Sequence, residues 1–320
     1  MLTTIVFSGG ANYAGAFLGA LRYLEHTCLS KGVRKVVGSS AGSLVALWFA
    51  LGLTSHEMSS FVAELIEKHS FNCISIDHVV DVLDTFGVDD GSNIDRALNL
   101  TLSLYAKRED MTFKTLAQTT GIDLVICAMN LTLRKFEYMS LDTTPNMSVK
   151  TAVRMSMSLP LIFKPVKYRK SYYVDPLFGR NFPFDFPGHE REPPRSVLGL
   201  NLSNSRERVE VDRKEDFTSY VLSLLSVVLS NSNSQSSENM ILVTIDVDVV
   251  ASFDTSKMQF HWSKEAANEL SRTGYKAIES NQDISKMVLG EPGDSRESGE
   301  SGVGESRESR ESGESSREIN

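Results

Sequence analysis

The sequence predicts a layered α/β domain in which a mostly parallel central sheet is flanked by helices. Two short apolar runs near the amino terminus each end in a glycine-containing turn and lead into a segment with helical spacing. Strands and helices then alternate through most of the chain, an order typical of α/β proteins. With 320 residues, 41% of them hydrophobic, the chain can bury one such core without disulfides or metal ions.

The first fifty residues contain the strand–turn–helix unit twice. Residues 2–7 are rich in β-formers and are broken by a Ser-Gly-Gly sequence, after which residues 13–29 show helical spacing. A second strand is expected at residues 35–37. It ends in the turn Gly-Ser-Ser-Ala-Gly and leads into an apolar helix at residues 43–53.

The same reasoning places the remaining elements. Further helices are expected at residues 56–68, 93–107, 148–157, 217–229 and 264–278. Further strands are expected at residues 123–129, 135–139, 197–202 and 240–246. Ser55 and Ser92 are placed to cap two of the helices, and Pro160 follows the end of another.

The end of the chain differs from the rest in composition. Residues 291–320 repeat Ser-Arg-Glu and Ser-Gly-Glu units and carry four Arg against nine Asp or Glu, which is −5 of the net charge of −8. They hold too few large apolar residues to offset chain entropy. We therefore expect one domain over residues 1–285 and a disordered, low-complexity tail over residues 286–320.

Cysteine usage and apolar run lengths indicate a cytoplasmic protein. Cys28, Cys73 and Cys127 are isolated and odd in number, as expected in a reducing compartment. The longest apolar runs are well short of the roughly 20 residues that cross a bilayer, so any membrane contact should be peripheral. The glycine turns match neither a dinucleotide fingerprint nor a P-loop, and we expect no nucleotide cofactor, metal or nucleic acid.

The turn after the second strand fits a nucleophile elbow. In such an elbow, small residues at the positions of Gly38 and Gly42 let a strand bend abruptly into a helix and leave the central serine exposed. Ser40 is therefore the candidate nucleophile. The first turn offers the amides of Gly9, Gly10 and Ala11 as oxyanion donors, because parallel strands bring both turns to one sheet edge.

Later motifs, taken together with these turns, resemble the patatin-like phospholipase family over roughly residues 2–280. The shared motifs follow the family's order: Thr112-Phe113, Thr144-Pro145, Ala152 to Ser156, Leu159-Pro160, Phe163-Lys164-Pro165, Tyr173-Val174-Asp175 and Asn181-Phe182-Pro183. The resemblance implies a single three-layer domain and a cofactor-free lipid acyl hydrolase of the phospholipase A or lysophospholipase type. It also implies a dyad of Ser40 with Asp175 and an acyl-enzyme intermediate.

A basic segment surrounds the residue that the resemblance implies to be the base. Residues 150–180 carry seven Lys or Arg and one acid, Asp175, in a chain that is acidic overall. Such a run is often only a solvated surface, but it also attracts phosphate headgroups and anionic membranes. We expect Lys167 and Arg169 to bind headgroups.

Two alternatives remain open at this point. The chain departs from the family pattern at Ala11, Tyr13, Ala14 and Pro176, which favours a weakened or inactive lipid-binding or regulatory protein on the same fold. A conventional Ser-His-Asp esterase would instead need a downstream histidine. That residue would have to be His189 or His261.

Overall fold

The computed structural model describes residues 1–69, 86–108, 111–203, 239–247, 253–254, 259–260 and 264–290. Several expectations lie outside these residues. They are the helix at residues 217–229, Cys73, His261 and the chain beyond residue 290.

Within the described ranges, the main sheet has eight strands. They are β1 (Thr4–Phe7), β2 (Lys35–Ser39), β4 (Asp123–Asn130), β5 (Lys135–Met139), β7 (Val166–Tyr168), β8 (Ser171–Val174), β9 (Val197–Ser203) and β10 (Met240–Asp246). Two small sheets pair β3 (Gly87–Asp89) with β6 (Leu161–Phe163) and β11 (Phe253–Asp254) with β12 (Gln259–Phe260).

Five strands of the main sheet are parallel, in the order β10–β9–β1–β2–β4. Strand β5 is antiparallel to β4, and β8 is antiparallel to both β4 and β7. All five parallel strands end at the same edge of the sheet. The turns that follow β1 and β2 therefore meet at that carboxyl edge, as expected for an open α/β sheet.

Eight α-helices are described. They are α1 (Gly15–His26), α2 (Ala41–Ala50), α3 (Ser55–His69), α4 (Ser92–Thr101), α5 (Phe113–Thr120), α6 (Val149–Ser156), α7 (Lys264–Glu279) and α8 (Gln282–Leu289). Among these described helices, none is long and apolar enough to span a membrane.

The alternation of side chains along the buried strands divides the core into two layers. Ile5 and Phe7 point into the larger layer, which holds the apolar faces of α1, α2 and α6. Val6 points to the opposite face, where Phe182 and Phe186 cover it. The sheet is therefore buried on both faces, which explains why its parallel strands are almost uniformly apolar.

Several boundaries differ from the sequence expectations. Thr54, and not Ser55, caps α3, because its hydroxyl and the Glu57 carboxylate form a reciprocal capping box. Gly91, and not Ser92, precedes α4, whose α-helical part ends at Thr101 before a π-helical segment. Helix α8 continues through Leu289, four residues into the expected tail.

Candidate active site

Ser40 lies at the apex of a sharp turn between β2 and α2. Its backbone has φ 51° and ψ −130°, a strained conformation for a residue with a side chain, and its hydroxyl does not cap the helix. A Cβ at Gly38 would lie 2.6 Å from the carbonyl oxygen of Gly42. A Cβ at Gly42 would overlap the backbone of Phe7 and Ser8. Both flanking glycines are therefore required by close backbone approach.

A serine on α6 holds the β2–α2 turn in place through two hydrogen bonds. The Ser40 N–H donates a 2.8 Å hydrogen bond to Ser156 Oγ, and that hydroxyl donates a 2.7 Å bond to the carbonyl of Cys127 on β4. Ser156 is fully buried. Its hydroxyl thus ties the candidate nucleophile to the neighbouring strand, a role that the sequence motifs did not reveal.

Strands β2 and β8 lie on the same edge of β4 and run toward each other. Cys127 pairs with β2 and with β5, while Met129 pairs with β5 and with β8. A strand has only two edges, so β5 occupies one of them and β2 and β8 share the other. Because β2 is parallel to β4 and β8 is antiparallel, their last residues approach head to head.

This arrangement brings the two candidate catalytic residues together. Ser39 ends β2 beside Cys127, and Val174 ends β8 beside Met129, so only one residue of β4 separates the two strand ends. Ser40 and Asp175 are the residues that follow those ends. Their convergence comes from strand register, which short sequence motifs do not specify.

Asp175 is completely buried in a short, well-anchored turn. Its N–H donates a 2.9 Å hydrogen bond to the carbonyl of Ser158, and its Oδ1 accepts a 3.0 Å bond from the Leu177 N–H. Pro176 occupies the first position of the 3₁₀ turn Pro176–Phe178, where a missing N–H has no cost. The Asp-Pro departure from the family pattern is thus compatible with the geometry.

The environment of Asp175 favours its neutral form. Burial raises the pKa of Asp175 to about 7, and hydrogen bonding with the Ser40 side chain and the Leu177 N–H acts in the opposite direction. Among the described residues, Oδ2 has no hydrogen-bond partner of standard geometry. The carboxylate can therefore accept a proton from Ser40, and its pKa suits a general base near neutral pH.

The glycine turn after β1 lies against the elbow. One of its three amides that were expected to bind the oxyanion is already used in another hydrogen bond. The Gly9 N–H donates a 2.7 Å hydrogen bond to the Asn181 carbonyl, so it is not available to an oxyanion. Within the described residues the N–H groups of Gly10, Ala11 and Ala41 have no acceptor. Ala11 adopts φ 43°, the left-handed region that the family's glycine would enter without strain.

The family model for patatin-like phospholipases matches residues 5–187, more than half of the chain. The chain belongs to the patatin-like phospholipase family. A probable lipid hydrolase, 463L, of Invertebrate iridescent virus 6 is 30% identical over 184 residues, which are 57% of this chain and 62% of that protein. The chain thus spans less than two thirds of the length of this relative.

Two further comparisons concern a second viral protein and a solved bacterial structure. The uncharacterized protein R571 of Acanthamoeba polyphaga mimivirus is 23% identical over 303 residues, which are 90% of this chain and 95% of R571. The crystal structure of VipD from Legionella pneumophila has a TM-score of 0.52 at 16% identity, covering 90% of this chain and 67% of VipD. This likeness shows that the fold is shared.

His189 is far from Ser40 in this patatin-like domain. The residue lies before β9, and its ring packs on Phe186, whose own ring lies beneath the Lys35 ammonium. Lys35 begins β2 and Ser40 follows its end, so the two are separated by about 17 Å along the strand. This placement does not favour the alternative triad with His189, because the ring packs near the residue that begins β2 and not near the one that follows its end.

Lys167 and Arg169 lie on the β7–β8 hairpin that leads to Asp175. The Lys167 ammonium lies 5.7 Å from the ring of Tyr172, and the Arg169 guanidinium lies 5.3 Å from the ring of Tyr168. Tyr172 is three residues before Asp175, about 10 Å along the strand. Both cations thus stand at the rim of the site and not beside the reacting atoms.

A buried arginine supports the turn that holds Asp175. Arg154 Nη1 donates a 2.6 Å hydrogen bond to Ser158 Oγ, and Nη2 donates a 2.8 Å bond to the Asp90 carbonyl. The Ser158 carbonyl in turn accepts a hydrogen bond from the Asp175 N–H.

Within the described residues, no group of three or more His, Cys, Asp or Glu is arranged to hold a metal ion.

Proposed function

We propose that this protein is a serine hydrolase that cleaves acyl esters of phospholipids, with a Ser40–Asp175 dyad. The observation that carries the proposal is the head-to-head meeting of β2 and β8. The residues that follow the two strand ends are Ser40, in a strained elbow conformation, and Asp175, and both are buried. Membership of the patatin-like phospholipase family supports the same reaction class. So does the viral relative whose name is probable lipid hydrolase.

The reaction proceeds in two stages. Ser40 Oγ attacks the ester carbonyl carbon while its proton passes to Asp175 Oδ2, and the carbonyl oxygen becomes an oxyanion. Collapse of this intermediate expels the alcohol, a lysolipid or glycerol derivative, which takes the proton back from Asp175. Water then attacks the acyl-Ser40 ester, again losing a proton to Asp175, and the fatty acid leaves as Ser40 is reprotonated.

Backbone amides stabilise the oxyanion. The N–H groups of Gly10 and Ala11 come from the turn after β1, and the Ala41 N–H lies at the start of α2. An N–H at a helix start also benefits from the helix dipole. Donors that have no other acceptor can point at the developing charge without reorganisation.

Lys167 and Arg169 bind phosphate headgroups at the rim. Both are exposed, and neither forms an ion pair with a carboxylate in the part of the chain that the structure describes. Replacing both with Glu should weaken binding to phosphatidylserine vesicles about tenfold. As a control, Lys31→Glu with Arg191→Glu makes the same charge change at the opposite edge of the sheet and should leave binding unchanged. Equal binding by the two double variants would refute headgroup binding by Lys167 and Arg169.

The test of the enzymatic proposal is fatty-acid release from mixed phospholipid vesicles. Wild-type protein should release fatty acid, and folded Ser40→Ala and Asp175→Asn variants should lose at least 100-fold of the rate. Release that persists in Ser40→Ala would contradict the proposal. The pattern of products, free fatty acid with lysophospholipid or with glycerophosphodiester, distinguishes phospholipase A from lysophospholipase activity.

A catalytically silent lipid-binding protein is the second candidate. Ala11 favours it, because a residue with a Cβ at φ 43° costs about 1–2 kcal/mol where glycine would cost little. Vesicle binding by the wild-type protein without any release of fatty acid would favour this candidate over the hydrolase.

We further propose that the catalytic unit acts in the cytoplasm as one domain, with peripheral membrane contact and without nucleic acid. The domain includes α8 and ends near Gly290, the residue that terminates this helix in the left-handed conformation. The composition of residues 291–320 supports a solvated tail.

A further inference from the structure

Two hairpin turns project beyond the carboxyl edge of the sheet, on the side where Ser40 lies. One is the β4–β5 turn at residues 131–134, and the other is the turn of the β7–β8 hairpin. The Leu131 N–H donates a 2.9 Å hydrogen bond to the Tyr172 carbonyl, and the Tyr172 N–H donates a 3.0 Å bond to Thr132 Oγ1. The two turns thus form one unit, which we call the double tip (residues 131–134 and 167–172).

The double tip exposes large apolar side chains. Leu131, Leu133 and Tyr172 are 44%, 56% and 45% exposed. A single exposed leucine is ordinary on a protein surface, but two leucines and a tyrosine on one protrusion form an apolar patch that marks an interaction site. Tyrosine is also a side chain that prefers the boundary between water and lipid.

Cations surround this apolar patch. Arg134, Lys167, Arg169 and Lys170 are exposed, and none of them pairs with a carboxylate among the residues that the structure describes. The adjacent Lys135 does have an acid partner, Glu137, at 3.0 Å. The four exposed cations are concentrated here although the whole chain has a net charge of −8.

We propose that the double tip docks on an anionic lipid bilayer, with Leu131 and Leu133 inserted among the acyl chains and the four cations on the headgroups. Apolar side chains at the apex with cations around them fit a bilayer better than an acidic protein surface, because only the bilayer has a hydrocarbon layer beneath its charges. The docking surface adds a membrane-binding element to the proposed function, and it rests on that function only because the substrate is taken to be a lipid.

The position of the double tip also fits the reaction. Leu131 is three residues beyond Ala128, at whose level β2 and β8 meet, so the tip stands about 10 Å above Ser40. Docking at this point would place the opening of the site toward the membrane. A lipid could then reach Ser40 without crossing bulk water.

The test measures vesicle binding by the full chain carrying Ser40→Ala, so that turnover does not affect the result. The vesicles contain phosphatidylcholine alone or phosphatidylcholine with phosphatidylserine at a ratio of 7 to 3. In this background, Leu131→Ser with Leu133→Ser should weaken binding to the anionic vesicles at least tenfold. Binding without the added substitutions should be stronger on anionic than on neutral vesicles and should weaken as salt is raised.

A matched control makes the same kind of change elsewhere. Val288 and Leu289 are 43% and 71% exposed on α8, which the Arg195–Asp283 ion pair holds near the start of β9, at the opposite edge of the sheet. Val288→Ser with Leu289→Ser should bind vesicles as strongly as the parent. Circular dichroism and melting temperature confirm that each variant is folded.

The outcomes separate this inference from the proposed function. Equal vesicle binding by the Leu131→Ser/Leu133→Ser and Val288→Ser/Leu289→Ser variants would overturn the docking surface, whatever the enzyme does. Tip-dependent binding to neutral and anionic vesicles alike would overturn the role of the cations. Tip-dependent binding to anionic vesicles by a protein that releases no fatty acid would support the surface while refuting the hydrolase.

Discussion

At the scale of single residues, the site depends on positions where backbone conformation and chemistry are closely linked. Ser40 holds a strained φ of 51° because Gly38 and Gly42 allow β2 and α2 to approach without a Cβ between them. Asp175 holds a carboxyl away from water although this disfavours its charged form. Both features cost stability. Asp175→Asn should therefore raise stability and lower activity, whereas Ser40→Ala keeps a Cβ at φ 51° and should not relieve the strain.

The first residue-scale prediction concerns Asp175 and pH. The pKa of its folded form, about 7, is raised above the ordinary value of 3.8, so the folded state binds more protons than the unfolded state between these values. Stability is therefore lost as pH rises from about 4 to 7. Asp175→Asn should stabilise the protein by about 2–4 kcal/mol at pH 8 and by little at pH 4.

Denaturant unfolding of wild type and Asp175→Asn across that pH range checks this prediction. The activity of the wild type should rise about tenfold per pH unit below 7 and level off above it, since the base must be deprotonated. If Asp175→Asn is less stable than wild type at pH 8, the prediction is wrong, because the folded protein must then stabilise the charged carboxylate in spite of its burial.

The second residue-scale prediction concerns Ala11. Ala11→Gly removes a Cβ from the left-handed region, and we expect a gain of up to about 1 kcal/mol after the larger chain entropy of glycine is subtracted. If the adjacent amides bind the oxyanion, fatty-acid release should also increase. Ala14→Gly, at φ −56° in the same turn, is the control and should destabilise slightly.

At the scale of elements, the site exists because two strands end against each other on one edge of β4. Ser156 on α6 connects this junction to the β4 backbone through two hydrogen bonds, and Arg154 on the same helix supports the Asp175 turn. Helix α6 is thus the element that aligns Ser40 with Asp175, the proposed nucleophile and base. It does so from the face of the sheet that holds the larger core layer.

Ser156→Ala tests this alignment. Loss of the hydroxyl leaves the Ser40 N–H and the Cys127 carbonyl without their buried partner, so we expect a loss of about 1–3 kcal/mol in stability and at least a tenfold loss of kcat. Ser59→Ala is the control, because its hydroxyl bonds only within α3 at an exposed position. Chemical denaturation and steady-state kinetics of both variants provide the comparison, and equal kcat values would contradict the role of Ser156.

The sequence predicted long periodic elements better than short ones. The first two strand–helix units lie where expected because their apolar runs end in glycine turns that have one structural interpretation. Strands β3 and β6 have three residues each, too few for alternation to show, and α5 and α8 were not identified. The α3 cap was misplaced by one residue because Thr54 and Ser55 are both suitable cap residues, whereas α4 follows Gly91, which has no side chain to cap it.

Some of the site residues could be predicted from sequence motifs, and others could not. Ser40 could be found because an elbow has a local glycine signature, and Asp175 because the chain resembles a family. The Ser156 side chain accepts a tertiary hydrogen bond from the Ser40 N–H, and no local pattern distinguishes it from other buried hydroxyls. The Gly9 N–H bonds to the backbone carbonyl of Asn181, a group that every residue carries. The donation of the Gly9 N–H to Asn181 could not be predicted for the same reason.

At the scale of the whole molecule, charge and apolar surface are distributed unevenly. The net charge is −8, while the double tip beside the site carries cations without acid partners among the described residues. Such an arrangement orients a protein toward an anionic surface and keeps the rest of the molecule away from it. The proposed orientation of the carboxyl edge toward a membrane would therefore depend on the charge of the whole chain and not on one residue.

The tail gives a prediction at this scale. Deletion of residues 291–320 should shift the melting temperature by less than about 2 °C, because the composition of this segment cannot add to a packed core. Deletion also removes a charge of −5, so binding to anionic vesicles should strengthen. A drop in melting temperature of about 5 °C or more would show that the segment contributes to the fold.

The most direct test of the Ser40–Asp175 dyad is covalent labelling with a fluorophosphonate, followed by mass spectrometry of the modified peptide. We expect one adduct, on Ser40, with a labelling rate that rises with pH around a midpoint near 7 and falls at least 100-fold in Asp175→Asn. Labelling of a different residue, or labelling of Ser40 at an unchanged rate in Asp175→Asn, would contradict the dyad.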